Sequence, residues 1–125
     1  MAERRMISKS VLKNPTFAGL PNAAQLLYCH LVLETDDEGF IDNARAVQKG
    51  SGFYAKSLRL LQENHFLHIF DSGVGVIIHW HWMNKIQPSK VKKTLHTAEK
   101  AMLTLDESMT YQLRSDAAEN PPKIT

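Results

Sequence analysis

The chain has 125 residues, 43% of them hydrophobic and 22% charged, with a formal net charge of +2. This length and apolar content suit one compact domain and exclude two independent cores. A single cysteine, Cys29, excludes an internal disulfide framework and predicts a reducing, cytoplasmic setting. No apolar run of about 18 residues occurs, and no secretion signal begins the chain, so we expect a soluble protein without a membrane partner.

The near-neutral total hides a separation of charge along the chain. Acidic residues gather within residues 34–42. Basic residues form an N-terminal arm and a strip that follows the central part of the chain: Arg4, Arg5, Lys9 and Lys13, then Lys85, Lys90, Lys92 and Lys93. Such segregation gives a molecule a positive side despite its small net charge.

Residues 1–13 are predicted to be a basic arm with a short helical turn after Ser8, ended by Asn14-Pro15. A helix is expected over residues 21–35, because its apolar residues recur at helical spacing: Leu27, Tyr28, Leu31 and Val32. Cys29 lies in this helix and is expected to be a buried, inert thiol. The run 36–38 reads as a helix stop rather than a calcium loop, with Gly39 as a left-handed cap. Residues 40–41 are expected to be a short strand.

The central part of the chain predicts two helices and then a hairpin. The helices span residues 43–50 and 53–64, joined by Gly50-Ser51-Gly52, and Asn43 is suited to cap the first. Inward positions are expected at Ala44, Ala46 and Val47 in the first helix, and at Tyr54, Leu58 and Leu61 in the second.

Strands are predicted over residues 66–70 and 74–83, with Asp71-Ser72-Gly73 as the hairpin tip. Alternation along the second strand places Trp80 and Trp82 on one face and His79 and His81 on the other. The order helix, turn, helix and hairpin predicts an α+β winged helix-turn-helix domain with a three-helix core.

A small C-terminal extension follows, with a short helix over residues 94–102 and a second hairpin from residues 103–105 and 111–113. The domain is therefore predicted to cover residues 1–113. Residues 114–125, which include Pro121-Pro122, have the composition of a flexible tail or the start of a linker.

The outer face of helix 53–64 is the predicted reading surface for a DNA groove, flanked by the hairpin tip. Lys56 and Arg59 can reach guanine edges or phosphates, and Gln62 can address adenine. The alternative is an ordinary solvated face on which Arg59 pairs with Glu63, four residues along. The arm and the strip suit phosphates, which position a protein without reading sequence. The residues predicted to contact DNA are Arg4, Arg5, Lys9, Lys49, Tyr54, Lys56, Arg59, Gln62, Lys85, Lys90, Lys92 and Lys93.

Six histidines raise the question of a metal, especially His79 and His81 with His65 and His68 nearby. No spacing typical of a zinc site accompanies them, so no metal and no cofactor are predicted. Trp80 and Trp82 are expected to be core residues or, if partly exposed, a contact patch for an oligomer or partner. No phosphate loop, nucleophile elbow or carboxylate pair is present, so we expect no enzyme activity.

Several segments resemble the N-terminal domain of replisome organizer proteins of phages and prophages in Gram-positive bacteria, relatives of the DnaD primosomal proteins. The likeness is carried by Arg4-Arg5-Met6, Asp37-Glu38-Gly39-Phe40-Ile41-Asp42-Asn43 and His79-Trp80-His81-Trp82-Met83-Asn84. It continues through Thr94 and Glu99 to Leu103-Thr104-Leu105-Asp106-Glu107. It covers most of residues 3–113.

This resemblance implies a winged-helix domain that binds double-stranded origin DNA, self-associates and helps recruit a helicase loader or helicase. Relatives carry an Arg-Lys-Asp-Arg tract where this chain has Gln87-Pro88-Ser89-Lys90, so fewer phosphate contacts are expected there. Relatives are also usually longer, with a second domain for the loading partner. Two alternatives stay open, because a fold does not determine its use: a transcriptional regulator, or an oligomerisation module with weak DNA binding.

Overall fold

The computed structural model describes residues 3–84 and 86–114 and has mixed helix and strand, an α+β fold. It begins with two single-turn helices, α1 (Lys9–Leu12) and α2 (Pro15–Ala18). Ser8 and Asn14 cap them through side-chain oxygens that accept backbone N–H groups. The helical turn predicted after Ser8 is confirmed as α1, and it packs on the body of the protein, because Val11 is buried in the core. Met6 is also held, since its backbone N–H and C=O both bond the Asn84 amide.

Three longer helices form the body of the fold: α3 (Asn22–Leu33), α4 (Ala44–Gly50) and α5 (Ala55–Glu63). The stripe predicted on α3 is confirmed, since all four of its apolar residues are buried. The thiol of Cys29, however, is only partly covered, because it lies beside that stripe rather than in it.

Asn43 caps α4 as predicted, accepting the N–H of Ala46 at 3.1 Å. Ala44 is buried, but Ala46 is exposed, so the inward face of α4 passes through Gln48 instead. In α5, Leu58 and Leu61 are buried as predicted. Tyr54 was expected in the core and is 85% exposed, because it precedes the helix with an extended backbone and its ring leaves the helical register.

Three short strands form an antiparallel sheet in the order β1-β3-β2: β1 (Phe40–Ile41), β2 (Leu67–Ile69) and β3 (Gly75–Ile77). The predicted strand over residues 74–83 is wrong beyond Ile77, where the chain turns into a helical turn, α6 (Trp80–Met83). Residues two apart on a helix point about 200° apart, so the two tryptophans separate. Trp80 is 1% exposed and Trp82 is 40% exposed.

The extension contains a 3₁₀ turn (Pro88–Lys90), α7 (Thr97–Lys100), β4 (Leu103–Leu105) and β5 (Tyr111–Leu113). The second hairpin is confirmed, with Leu103 opposite Leu113, whereas the helix is shorter than predicted. Leu103 and Tyr111 pack on the first sheet in a second apolar cluster with Phe40, Phe70, Val74 and Val76. The extension is therefore packed onto the first sheet. Apart from Arg114, the predicted tail lies outside the described residues.

The acidic segment, Asp36, Asp37 and Glu38, does more than end α3. Asp36 accepts the Thr94 hydroxyl, and Asp37 accepts the N–H of Lys92 at 3.0 Å. Glu38 accepts the N–H of Thr94 at 2.7 Å and pairs with Lys100. The segment thus fastens the extension to the body.

Gly39 follows with φ +92°, as its predicted left-handed role requires, and Trp80 lies directly over it. None of the described helices is long and apolar enough to cross a membrane.

Candidate nucleic-acid interface

Helices α4 and α5 and strand β2 frame a groove of about 290 Å³, which we call the basic groove. Arg45 and Lys49 reach it from α4, and Arg59 reaches it from α5. Arg45 and Lys49 are four residues apart, so both lie on the same face of α4. Leu58 and Ile69 give the groove an apolar wall. Three cations around a groove of this kind can hold anionic oxygens such as phosphates.

Arg45 belongs to this constellation but was not among the predicted contacts. The sequence does contain a signal for Arg45: it lies four residues before Lys49 on a predicted helix, and two basic residues at this interval share one face. The outcome for Arg59 is clearer than expected. Within residues 3–84 and 86–114, Arg59 makes no ion pair with Glu63, so the pairing alternative is not realised.

Gln62 lines the basic groove, but its amide is partly committed. Its Oε1 accepts the backbone N–H of Ile69 at 2.9 Å, which ties the end of α5 to β2. A two-point contact with adenine needs both ends of the amide, so that contact would have to break this bond. The Nε2 group keeps its donors available. Tyr54 and Lys56 are exposed at the start of α5, and their DNA contacts stay predictions.

The predicted phosphate contact by Arg5 is wrong, because its guanidinium is buried inside the protein. The Arg5 side chain is 5% exposed, bonds the Asp37 carboxylate at 3.0 Å and donates to the C=O of Thr35. It also lies 5.9 Å from the centre of the Trp80 ring. The backbone N–H of Lys92, together with Arg5, outweighs partial burial and keeps the pKa of Asp37 below its usual value. Arg4 and Lys9 are exposed, as a contact requires.

The basic strip differs from α5 because acidic side chains lie beside its lysines. Lys85 lies outside the described residues, and Lys90, Lys92 and Lys93 are exposed. A cavity of about 200 Å³ has Lys92 and Lys93 on its wall together with Asp36, Asp37 and Asp42. These carboxylates weaken the positive potential of the strip, so it is a poorer phosphate surface than its lysines indicate.

The hairpin tip was predicted to flank the reading helix, but the structure joins it to other parts of the protein. The C=O of Gly73 accepts the N–H of Ala44 at the start of α4. The Ser72 hydroxyl donates to Glu99 of α7 at 2.7 Å. A carboxylate at the tip opposes phosphate contact there, but Asp71 and Ser72 are exposed and the tip adjoins α4, so its place beside DNA stays a prediction.

The aromatic and histidine predictions also change. Trp80 is wrong as an oligomer contact because it is buried, with its indole N–H donating to the Thr35 hydroxyl at 3.2 Å. Trp82 is half-exposed, so its role as a contact stays a prediction.

His81 bonds the Tyr111 hydroxyl at 3.0 Å, and burial lowers its pKa despite the nearby Glu38. No group of three or more His, Cys, Asp or Glu able to hold a metal occurs in the part of the chain that the structure describes.

Comparisons of this chain with protein-family models, curated proteins and solved structures found no match.

Proposed function

We propose that this protein is a DNA-binding module with a winged-helix arrangement, in which α5 faces a groove of duplex DNA. The element order α3-β1-α4-α5-β2-β3 and the strand order β1-β3-β2 support this arrangement. In it, α4 and α5 form the helix-turn-helix and the β2–β3 hairpin stands beside them.

The observation that carries the proposal is the basic groove. Arg45, Lys49 and Arg59 come from two helices and reach one surface, and no ion pair within the described residues consumes them. Lys56, which is also on α5, is a fourth exposed cation. Exposed arginines left without internal partners are the residues that duplex phosphates and guanine edges attract.

The resemblance noted in the sequence extends the proposal to replication initiation. In that role the protein binds origin DNA, associates with further copies of itself and helps to recruit a helicase loader or helicase. It works without a cofactor and catalyses no reaction. Because few cations face the groove, specificity arises from repeated sites bound together rather than from a single contact.

The test is a fluorescence-anisotropy titration of a labelled duplex at several salt concentrations. The variant Arg45→Gln/Arg59→Gln is expected to bind about tenfold more weakly than the unchanged protein. Its slope of log affinity against log salt should be shallower by about 2, since each lost phosphate contact removes about 0.9.

The control is Lys13→Gln, which removes an exposed charge just after α1 that is not among the predicted contacts. It is expected to lose much less affinity than the groove variant. Equal losses of duplex affinity in both variants would show that binding is non-specific electrostatic attraction. No loss of affinity in the groove variant would reject the basic groove as the DNA-binding face. Clustered origin repeats as the preferred target support the replication role, whereas a single promoter palindrome favours transcriptional regulation.

A further inference from the structure

A second groove, of about 570 Å³, lies between α2, the end of α5, β2 and the β4–β5 hairpin. Its volume is within the range of about 300–1,000 Å³ typical of small-molecule sites. None of the described residues that line it is Lys, Arg, Asp or Glu. It therefore has no lysine or arginine to hold a phosphate and no carboxylate to hold a metal ion, in contrast to the cations of the basic groove.

Four amide side chains line this groove, which we call the amide groove: Asn14, Gln62, Asn64 and Gln112. Each one uses a single end on the protein. The oxygens of Asn14 and Gln62 accept backbone N–H groups, which identifies their NH₂ groups as the uncommitted ends. The NH₂ groups of Asn64 and Gln112 donate to the C=O of Leu60 and to Asp106, which leaves their oxygens uncommitted. The groove thus offers two donors and two acceptors that have no partner among the described residues.

An aromatic ring accompanies these amides. The His79 ring lines the groove, the buried Phe66 ring lies behind it with centroids 5.6 Å apart, and the half-exposed Trp82 ring meets His79 edge-on at 4.7 Å. Burial lowers the pKa of His79 in spite of the negative charge of Asp106, which favours the neutral imidazole. Neutral rings combined with amide donors and acceptors are the groups that proteins use to bind unstacked bases.

Gln62 lines both grooves, so the basic groove and the amide groove meet at this residue. A strand whose phosphates lie along Arg45 and Arg59 would carry its bases towards the amide groove. Asp106, which bonds Gln112 on the far side, repels phosphate and favours this orientation.

We propose that the amide groove holds one unstacked base of a single-stranded DNA segment whose phosphates lie in the basic groove. This inference rests on the proposed function for the placement of the phosphates. The base itself is recognised by the amides and rings of the amide groove.

The experiment compares a labelled oligothymidylate with an oligomer of equal length whose residues are abasic. The protein is expected to bind the base-bearing strand about tenfold more tightly, equivalent to about 1.4 kcal/mol, because stacking adds roughly that much for each base. Gln112→Leu removes an uncommitted acceptor at similar volume and should cut this ratio severalfold while duplex affinity stays unchanged. The control is Gln87→Leu, which alters an exposed glutamine outside the groove and should keep the ratio.

Equal affinity for the two strands, or an unchanged ratio in Gln112→Leu, would overturn the inference. A second measurement does not depend on any variant: thymidine titrated into the unchanged protein should give saturable NMR shifts of the Asn64 and Gln112 side-chain amides. If the protein binds duplex DNA but does not distinguish the base-bearing strand from the abasic strand, this inference fails and the proposed function stands. Saturable thymidine shifts without duplex binding defeat the proposed function and leave a nucleoside site, while thymidine shifts confined to other residues reject the groove.

Discussion

The α4–α5 face and the acidic segment use charge in opposite ways. On the α4–α5 face, Arg45, Lys49 and Arg59 border an open groove and form no internal ion pair within the described residues. In the acidic segment, Asp36, Asp37 and Glu38 are all engaged by groups from elsewhere in the chain. The difference teaches that a charged residue becomes available for binding only when the fold has not already given it a partner.

Gly39 and Gly52 give the largest expected contrast between the two regions. Both have positive φ, +92° and +81°, but a Cβ at Gly39 would lie 2.6 Å from the Trp80 ring, while at Gly52 nothing lies within 4 Å. Gly39→Ala should lower the free energy of unfolding by about 3–4 kcal/mol, through backbone strain and overpacking together. Gly52→Ala should cost about 1 kcal/mol from strain alone. Urea unfolding measures both, and similar midpoints would show that Trp80 moves aside without cost.

The next contrast compares two arginines. Arg5→Gln should lower the free energy of unfolding by about 2–3 kcal/mol, because it leaves Asp37 without its buried partner. Arg59→Gln should change it by less than about 0.5 kcal/mol, since an exposed residue without an ion pair contributes little to stability. Thermal unfolding with a duplex titration separates them: Arg5→Gln should affect folding and Arg59→Gln should affect binding. An unstable Arg59→Gln would contradict the division.

A smaller effect is expected from acid. Burial raises the pKa of Glu38, but bonds from Lys100 and the Thr94 N–H outweigh it and leave the pKa below the usual 4.5. The stabilisation is then complete above the unfolded pKa and is lost as pH falls through the lower pKa of the folded state. Unfolding free energy should therefore fall by about 1 kcal/mol more in the unchanged protein than in Glu38→Gln as pH is lowered below 4.5. Denaturant unfolding at several pH values measures this, with Glu63→Gln on exposed α5 as the control, and parallel curves for all three proteins would refute it.

Features determined by nearby residues could be predicted from the sequence. The buried stripe of α3, the Asn43 cap, the Gly39 turn and the second hairpin all depend on residues a few positions apart. Local spacing also indicates that Arg59 and Lys49 face outward.

The remaining features depend on contacts between distant parts of the chain. Arg5 is buried by Asp37, 32 residues away, and Trp80 bonds Thr35, 45 residues away. Alternation of apolar residues predicted a continuing strand through Trp80, because periodicity carries no information about which distant surface will accept a ring. The convergence of the four amides on one groove likewise joins residues from α2, α5 and β5 and has no local signal.

The bond from the Ile69 N–H to Gln62 has a consequence for self-association. Strand β2 is one of the two edge strands of its sheet, and an edge strand with free backbone groups invites pairing with a strand of another molecule. The Gln62 amide occupies one of those groups and acts in place of a neighbouring strand. A strand of another copy that paired with β2 at this point would therefore have to displace the Gln62 side chain from the Ile69 N–H.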